Sequence, residues 1–337
     1  MSATTETKKP AKVARYNSVM ATLEALDEAM ARDATVMVFG EDVGDPEGGN
    51  IMGATQGLST KYGELRCRST PISEQAIVGA AVGAAIAGMR PVAEVMMMNF
   101  MTVAMDQIVN HAAKIRFMSG GQTAVPLTIR TMTGVGGGFG GQHSDMLEAW
   151  FAHVPGLKVV APSNPADHKA LLTSCIFDDN PCIFIENTLL MHMAGDAPEP
   201  GYTVPIGKAA VTHQGKDVTV IGYGRPMLDI KAVAEKLAGE VSVEVIDLRT
   251  IVPVDMDTIL ASTAKTGRVV IVHEAVKSFG VGAELAARIY ERQFASLKAP
   301  IQRVAGKDTP VPFSKPLENA FMWNREDIEA AIRATLN

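Results

Sequence analysis

Short apolar runs alternate with longer stretches of helical periodicity along most of the chain, and this alternation restricts the fold more than any other feature. Apolar residues recur at helical spacing over residues 18–31, and TVMVFGEDVG (35–44) then reads as a buried strand ending in a glycine-bearing turn. Residues 74–88 predict a helix packed closely on a neighbour, VAEVMMM (92–98) a strand, and 102–118 a long helix. The pattern continues through PLTIR, LKVVAP and PCIFIE. Strands alternating with helices form crossover units, which build a mostly parallel sheet covered on both faces. The expected class is α/β.

After Glu186 the alternation breaks down in NTLLMHMAGDAPEPGYTVPIGKA, where prolines and glycines interrupt any continuous element, as in an interdomain linker. A second α/β unit restarts with DVTVIGYG, DIKAVAEKLAG, VSVEVIDLR, a helix near 255–265 and RVVIVHE. The expected division is a flexible arm over residues 1–15, a first domain over 16–190, a linker over 191–205 and a second domain over 206–337. A chain of 337 residues, 47% hydrophobic, is long enough to bury two medium cores.

Several function classes are disfavoured. The first dozen residues carry three lysines and no apolar core of the kind a secretory signal needs. The longest nearly apolar run, 76–89, falls short of the roughly 20 residues a membrane helix requires. Cys67, Cys175 and Cys182 have neither CxxC spacing nor an even count, which points to a reducing, cytoplasmic setting without disulfides or zinc. A net charge of −6 without clustered Lys and Arg argues against nucleic acid. The nineteen methionines, Met96, Met97 and Met98 among them, are read mainly as core filler.

Three features could carry chemistry. The stretch GVGGGFGGQHSD can bring its backbone close to a ligand or another chain, but it matches GxGxxG only loosely and has no GK[ST] ending. His143, at its end, is either a proton donor and acceptor at a cleft mouth or an ordinary loop histidine. Ser144 lacks the G-x-S-x-G elbow of a hydrolase. Glu74 begins a helix after TPIS among small and apolar residues, so it is either a desolvated carboxyl that shares a proton with a heterocycle nitrogen or a solvated helix-start residue favoured by the dipole. No HExxH motif offers a zinc site.

Together the segments GEDVG, STPISEQAIVGAAVGAAIAGMRPVAE, DQIVNHAAKIRFMSGGQ, QHSD, VPGLKVVAPSNPAD, EVIDLRTIVPVD and KTGRVVIVHEA closely resemble the beta subunits of thiamine-diphosphate-dependent 2-oxo acid dehydrogenases, from about Tyr16 to the C-terminus. The resemblance implies a transketolase-like fold of two domains, each with a mostly parallel sheet covered by helices. It also implies a pyrimidine-binding domain followed by a transketolase C-terminal domain, working with an alpha subunit as an α2β2 heterotetramer. Matched onto this chain, the family's N1′-binding glutamate falls on Glu74, and Ile72, Met96 and Phe100 would line the aminopyrimidine pocket. His143 matches the active-site histidine expected to stabilise charge and assist acyl transfer to the lipoyl group of an acyltransferase. Gly79 and Gly83 match a small-residue pattern used where subunits meet.

In related beta subunits a structural potassium ion is held by carbonyls and a Cys-x-x-Asp-x-Asn stretch; CIFDDN places Cys175, Asp178 and Asn180 at that spacing, with Leu127 and Thr128 nearby, although an ordinary helix-end turn would look the same. The family's diphosphate and magnesium motif, beginning GDG, belongs to the alpha chain and is missing here, so thiamine diphosphate would be shared and magnesium held by the partner. Two departures stand out. Asp145 replaces the usual Gln of HSQ and would favour the imidazolium if it met His143. ENTLLMHMAG replaces EHKxLYR. The resemblance implies decarboxylation of a small 2-oxo acid, pyruvate-like or branched-chain, with acetoin cleavage or two-carbon ketol transfer as the alternative.

Overall fold

Parallel pairing organises both halves of the chain in the computed structural model, which describes residues 15–337. The arm expected over residues 1–15 lies outside the described residues, save Arg15. The strands are β1 (Val36–Glu41), β2 (Cys67–Thr70), β3 (Arg90–Met97), β4 (Thr128–Thr133), β5 (Lys158–Val160) and β6 (Cys182–Asn187). They continue with β7 (Ala210–His213), β8 (Val218–Gly222), β9 (Val243–Asp247), β10 (Thr250–Val252), β11 (Val269–Val276) and β12 (Gln302–Gly306).

The first sheet has seven strands in the order β10-β5-β6-β4-β3-β1-β2, the second five in the order β12-β11-β8-β9-β7. All neighbours run parallel except β10 against β5 and β7 against β9, both at an edge. β4 and β6 are buried at every position, as strands covered on both faces must be. Helices Ser18–Arg32 and Pro165–Ile176 cover one face of the first sheet. Glu74–Ile86 and the segment after β3 cover the other, and their core runs on without a break into the second sheet through Ile221, Ile246 and Ile271, and into helix Val281–Gln293 through Leu285. Helices Pro226–Lys236 and Arg325–Ala334 close the outer face of that second sheet.

Two expectations need correction. The segment 102–118 is not one α-helix: a 3₁₀ turn over Met98–Ala104, a π-helical turn over Gln107–Ala112 and a short α-helix over Ile115–Met118 follow one another. The apolar spacing fits any of these, and the Ala113 N–H to Ile108 carbonyl bond of 3.0 Å adds the residue that interrupts the ladder. The second unit also does not keep its strands to itself, because β10 leaves it to close the first sheet.

A buried charge cluster ties the first sheet to its helices. Arg130 on β4 meets Glu94 of β3 at 2.7 Å and Glu186 of β6 at 2.9 Å. Glu186 also faces His168 at 3.3 Å and accepts from Thr22 at 3.2 Å, while Asn50 donates to Glu94 at 2.8 Å. Asn50 has φ +66 and takes the Met52 and Ala54 N–H groups on its side-chain oxygen, so it pins the loop after β1 to this cluster.

Candidate active site

The C-terminal ends of parallel strands converge on one edge of the first sheet, on both sides of the point where strand order reverses at β1. In open α/β sheets such an edge is where ligands bind. β2 feeds Pro71, Ile72 and Ser73, and Ser73 is the non-helical residue before the helix, with its hydroxyl donating to the Pro71 carbonyl at 3.1 Å. Glu74 is therefore in the first helical turn, where the dipole favours a carboxylate. It is half-buried in this chain, between the desolvated and the solvated alternatives that the sequence left open, and Ile72 is 75% exposed. Glu41, at the end of β1, has its pKa raised by burial and by the charges of Asp42 and Glu74. Two carboxyls thus share this edge, and Glu41 was not singled out from the sequence.

β3 delivers the other wall. Met96 and Phe100 are partly buried and pack on Met97, Met132 and Met191, with Met52 beside them. The Phe100 ring meets His143 edge-on, centroids 5.2 Å apart at 80°. His143 follows the glycine loop after β4 and donates its backbone N–H to the Gly140 carbonyl at 3.3 Å. Asp145 does not turn to His143. Its carboxylate accepts from Asn99 Nδ2 at 2.8 Å, and its own N–H donates to Asn99 Oδ1 at 3.2 Å. Ser144 beside it is fully buried.

The second domain reaches this loop. Glu274 on β11 accepts the Val135 N–H at 2.6 Å and the Asn187 amide at 2.8 Å. Glu318, in helix Lys315–Phe321, accepts the Gly136 and Gly138 N–H groups at 2.7 and 3.0 Å on one oxygen. Burial drives the Glu274 carboxyl up to about 7. For Glu318 burial is outweighed by the Gly138 and Gly136 N–H groups and by Lys315, so its pKa is lowered.

Leu127 and Thr128 enter β4 beside the turn from Cys175 to Asn180, so the fold brings together the residues matched to a cation site. Their side chains are already committed. Lys158 ion-pairs with Asp178, whose other oxygen takes the Asn180 N–H at 2.8 Å and amide at 2.9 Å. Asn180 Oδ1 accepts from Arg116 at 2.8 Å, and burial pushes the Cys175 thiol well above its usual range. Arg90 donates to the carbonyls of Ile176 and Asp178 at 3.3 and 3.1 Å. Among the described residues matched to this site, main-chain carbonyls and the Thr128 hydroxyl, which has no hydrogen-bond partner, are left to receive a monovalent ion. Among the described residues no group of three His, Cys, Asp or Glu could hold a metal.

Gly79 and Gly83 differ in surroundings. A Cβ on Gly79 would touch Gln107 at 3.3 Å within the domain, whereas Gly83 faces open space.

The transketolase pyrimidine binding domain matches residues 16–192, and the transketolase C-terminal domain matches 207–328. The beta subunit of acetoin:2,6-dichlorophenolindophenol oxidoreductase from Cupriavidus necator is 44% identical over 322 residues, 93% of this chain and 95% of that one. The pyruvate dehydrogenase E1 beta subunit of Staphylococcus epidermidis is 43% identical over 326 residues, covering 96% of this chain and 99% of the relative. The chain belongs to the beta subunits of thiamine-diphosphate-dependent 2-oxo acid dehydrogenases. The human mitochondrial pyruvate dehydrogenase beta subunit, 43% identical over 320 residues, covers 93% of this chain and 89% of its own. A split-gene transketolase structure described as an inactive beta4 tetramer superposes with TM-score 0.78 at 20% identity, over 96% of this chain and 98% of that one. As a beta subunit, the chain is part of an oxidoreductase that needs an alpha partner and thiamine diphosphate. No described helix is long and apolar enough to cross a membrane.

Proposed function

We propose that this beta subunit supplies the aminopyrimidine half of an active site that the alpha subunit completes, in an α2β2 assembly that decarboxylates a small 2-oxo acid and passes the acyl group to a lipoyl-bearing acyltransferase. The observation that carries the reading is the grouping at one sheet edge of a carboxyl at a helix start, Glu74, with the apolar walls of Met96 and Phe100 and the imidazole of His143. Those residue types suit one end of a flat heterocycle: a carboxyl for a ring nitrogen, an aromatic and a thioether wall, and an imidazole against Phe100. Thiamine diphosphate, when bound, supplies the electron sink that lets a bond next to a carbonyl break.

Within this division Glu74 holds a proton at the heterocycle nitrogen, and Ile72 covers the ring from the exposed approach to the helix. His143 donates or accepts a proton at the reacting centre. Magnesium and diphosphate fall to the alpha subunit, and the exposed Gly83 face of helix Glu74–Ile86 is a contact for a neighbouring subunit. A potassium ion, if part of this assembly, would be held by the carbonyls of Leu127, Cys175, Asp178 and Asn180, with Thr128 adding its hydroxyl.

The second reading, acetoin cleavage, is favoured by the 44% identity to the Cupriavidus necator subunit. Coexpression with the alpha subunit, followed by assays with pyruvate, branched-chain 2-oxo acids and acetoin, separates the two. In the same complex Glu74→Gln should lower turnover by at least about 100-fold, the scale of a lost general acid or base. Unchanged turnover would remove Glu74 from the site.

A further inference from the structure

We propose that Glu318, with Glu274 beside it, is a positioning residue for His143: the second domain sets where the histidine stands by accepting the backbone N–H groups of the glycine loop that carries it. The proposal rests on the assignment of His143 to the reacting centre.

The loop cannot fix itself. Gly134, Gly136, Gly138 and Gly140 have φ of +134, +119, +72 and +73°, conformations that glycine enters freely and leaves as freely. Ordering one residue costs about 1–2 kcal/mol, so a run of glycines stays put only if something outside it holds it. Val135, Gly136 and Gly138 all give their N–H groups to carboxylates of the second domain, at 2.6, 2.7 and 3.0 Å. Glu318, whose pKa is lowered, accepts its two as a carboxylate, and bonds to an ionised acceptor are roughly twice as strong as neutral ones.

Glu318 is well suited to this. It is 1% exposed, and one oxygen takes both glycine N–H groups while the other faces Lys315 at 3.2 Å. Lys315 in turn donates to the Gly136 carbonyl at 2.9 Å, so donor and acceptor of the same glycine are gripped from one helix. Further along, Gly140 lies close against the Phe313 ring, where a Cβ would come within 2.5 Å. His143 hangs from the Gly140 carbonyl and ends against Phe100. The carboxylate oxygens are satisfied by the chain's own donors, which leaves them the role of fixing the loop and not of binding a ligand. A misplacement of about 1 Å at a reacting group can cost on the order of 100-fold in rate.

The test uses the beta subunit assembled with its alpha partner, thiamine diphosphate and magnesium, turning over pyruvate or acetoin with 2,6-dichlorophenolindophenol as acceptor. Glu318→Ala should lower kcat by about 10–100-fold with KM within about twofold. Glu318→Gln, whose amide oxygen can still accept both N–H groups, should stay within about threefold of wild type. In a His143→Ala background Glu318→Ala should cost nothing more. Hydrogen exchange of the assembled protein should show peptide 134–146 exchanging faster in Glu318→Ala and unchanged in Glu318→Gln. Independent, multiplying losses from the two alanine changes, or equal damage from Gln and Ala, would overturn the positioning role while leaving His143 assigned. A harmless His143→Ala would overturn the His143 assignment and the positioning with it. If Glu318→Ala does not assemble, Glu318→Asp, with a shorter arm that withdraws the acceptor, replaces it with the same two outcomes.

Discussion

Arg130 is a full positive charge with no exposed surface, and it is tolerable there because Glu94 and Glu186 surround it at 2.7 and 2.9 Å. Removing the cation strands two buried carboxylates, so Arg130→Met should destabilise the protein by about 3–5 kcal/mol in denaturant melts. A loss under about 1 kcal/mol would show that the cluster is hydrated or neutral. Site residues with a local mark were legible: Glu74 in TPISEQ and His143 in QHSD belong to strings that resemble a known family. Glu274 and Glu318 were not, since they reach their backbone partners across 139 and 182 residues and nothing in VVIVHE or KPLENAF records a glycine N–H elsewhere. The orientation of Asp145 was equally hidden, because Asn99, which takes it away from His143, is 46 residues off.

Glycine geometry governs the helical elements around the site, and it separates two substitutions that look alike in sequence. Gly156 has φ +106, and a Cβ there would lie 2.0 Å from the Ala113 carbonyl at the end of the π-helical turn. Gly156→Ala should therefore cost at least about 2 kcal/mol, read as a lowered melting temperature. Gly83, inside helix Glu74–Ile86, has open space around it, so Gly83→Ala should stabilise the isolated beta chain by about 0.5–1 kcal/mol through helix propensity. If a neighbouring subunit packs there, the same change should weaken association in sedimentation runs. Strands and helices with strong periodicity were readable, since burial on one or both faces imposes it. Segment 98–118 was not, because 3₁₀, π and α turns carry the same apolar spacing and differ only in which carbonyl each N–H finds.

At the scale of the whole molecule, two neighbouring buried groups on β11 respond oppositely to pH, Glu274 against the first domain and His273 inside the second, beside Gly280 and Gly282. Burial lifts Glu274 from 4.5 to about 7 and depresses the adjacent His273 from 6.5 to about 4. The raised carboxyl contributes stability that is present below its ordinary range and lost as pH rises through about 7. The depressed histidine contributes stability that is present above its ordinary range and lost as pH falls toward about 4. Wild-type stability relative to Glu274→Gln should grow between pH 8 and about pH 5, and relative to His273→Leu it should shrink; paired urea titrations at both pH values measure this. Equal differences at both would show that neither group titrates with folding. β10 gives the union of the two domains a consequence in time. While the chain is being made, the open edge of β5 waits for residues 250–252, which emerge only after β7, β8 and β9. At about 5–20 residues per second that edge stays unpaired for seconds, during which a chaperone or another chain can reach it. Birth order thus makes the first domain depend on the second before any partner subunit arrives.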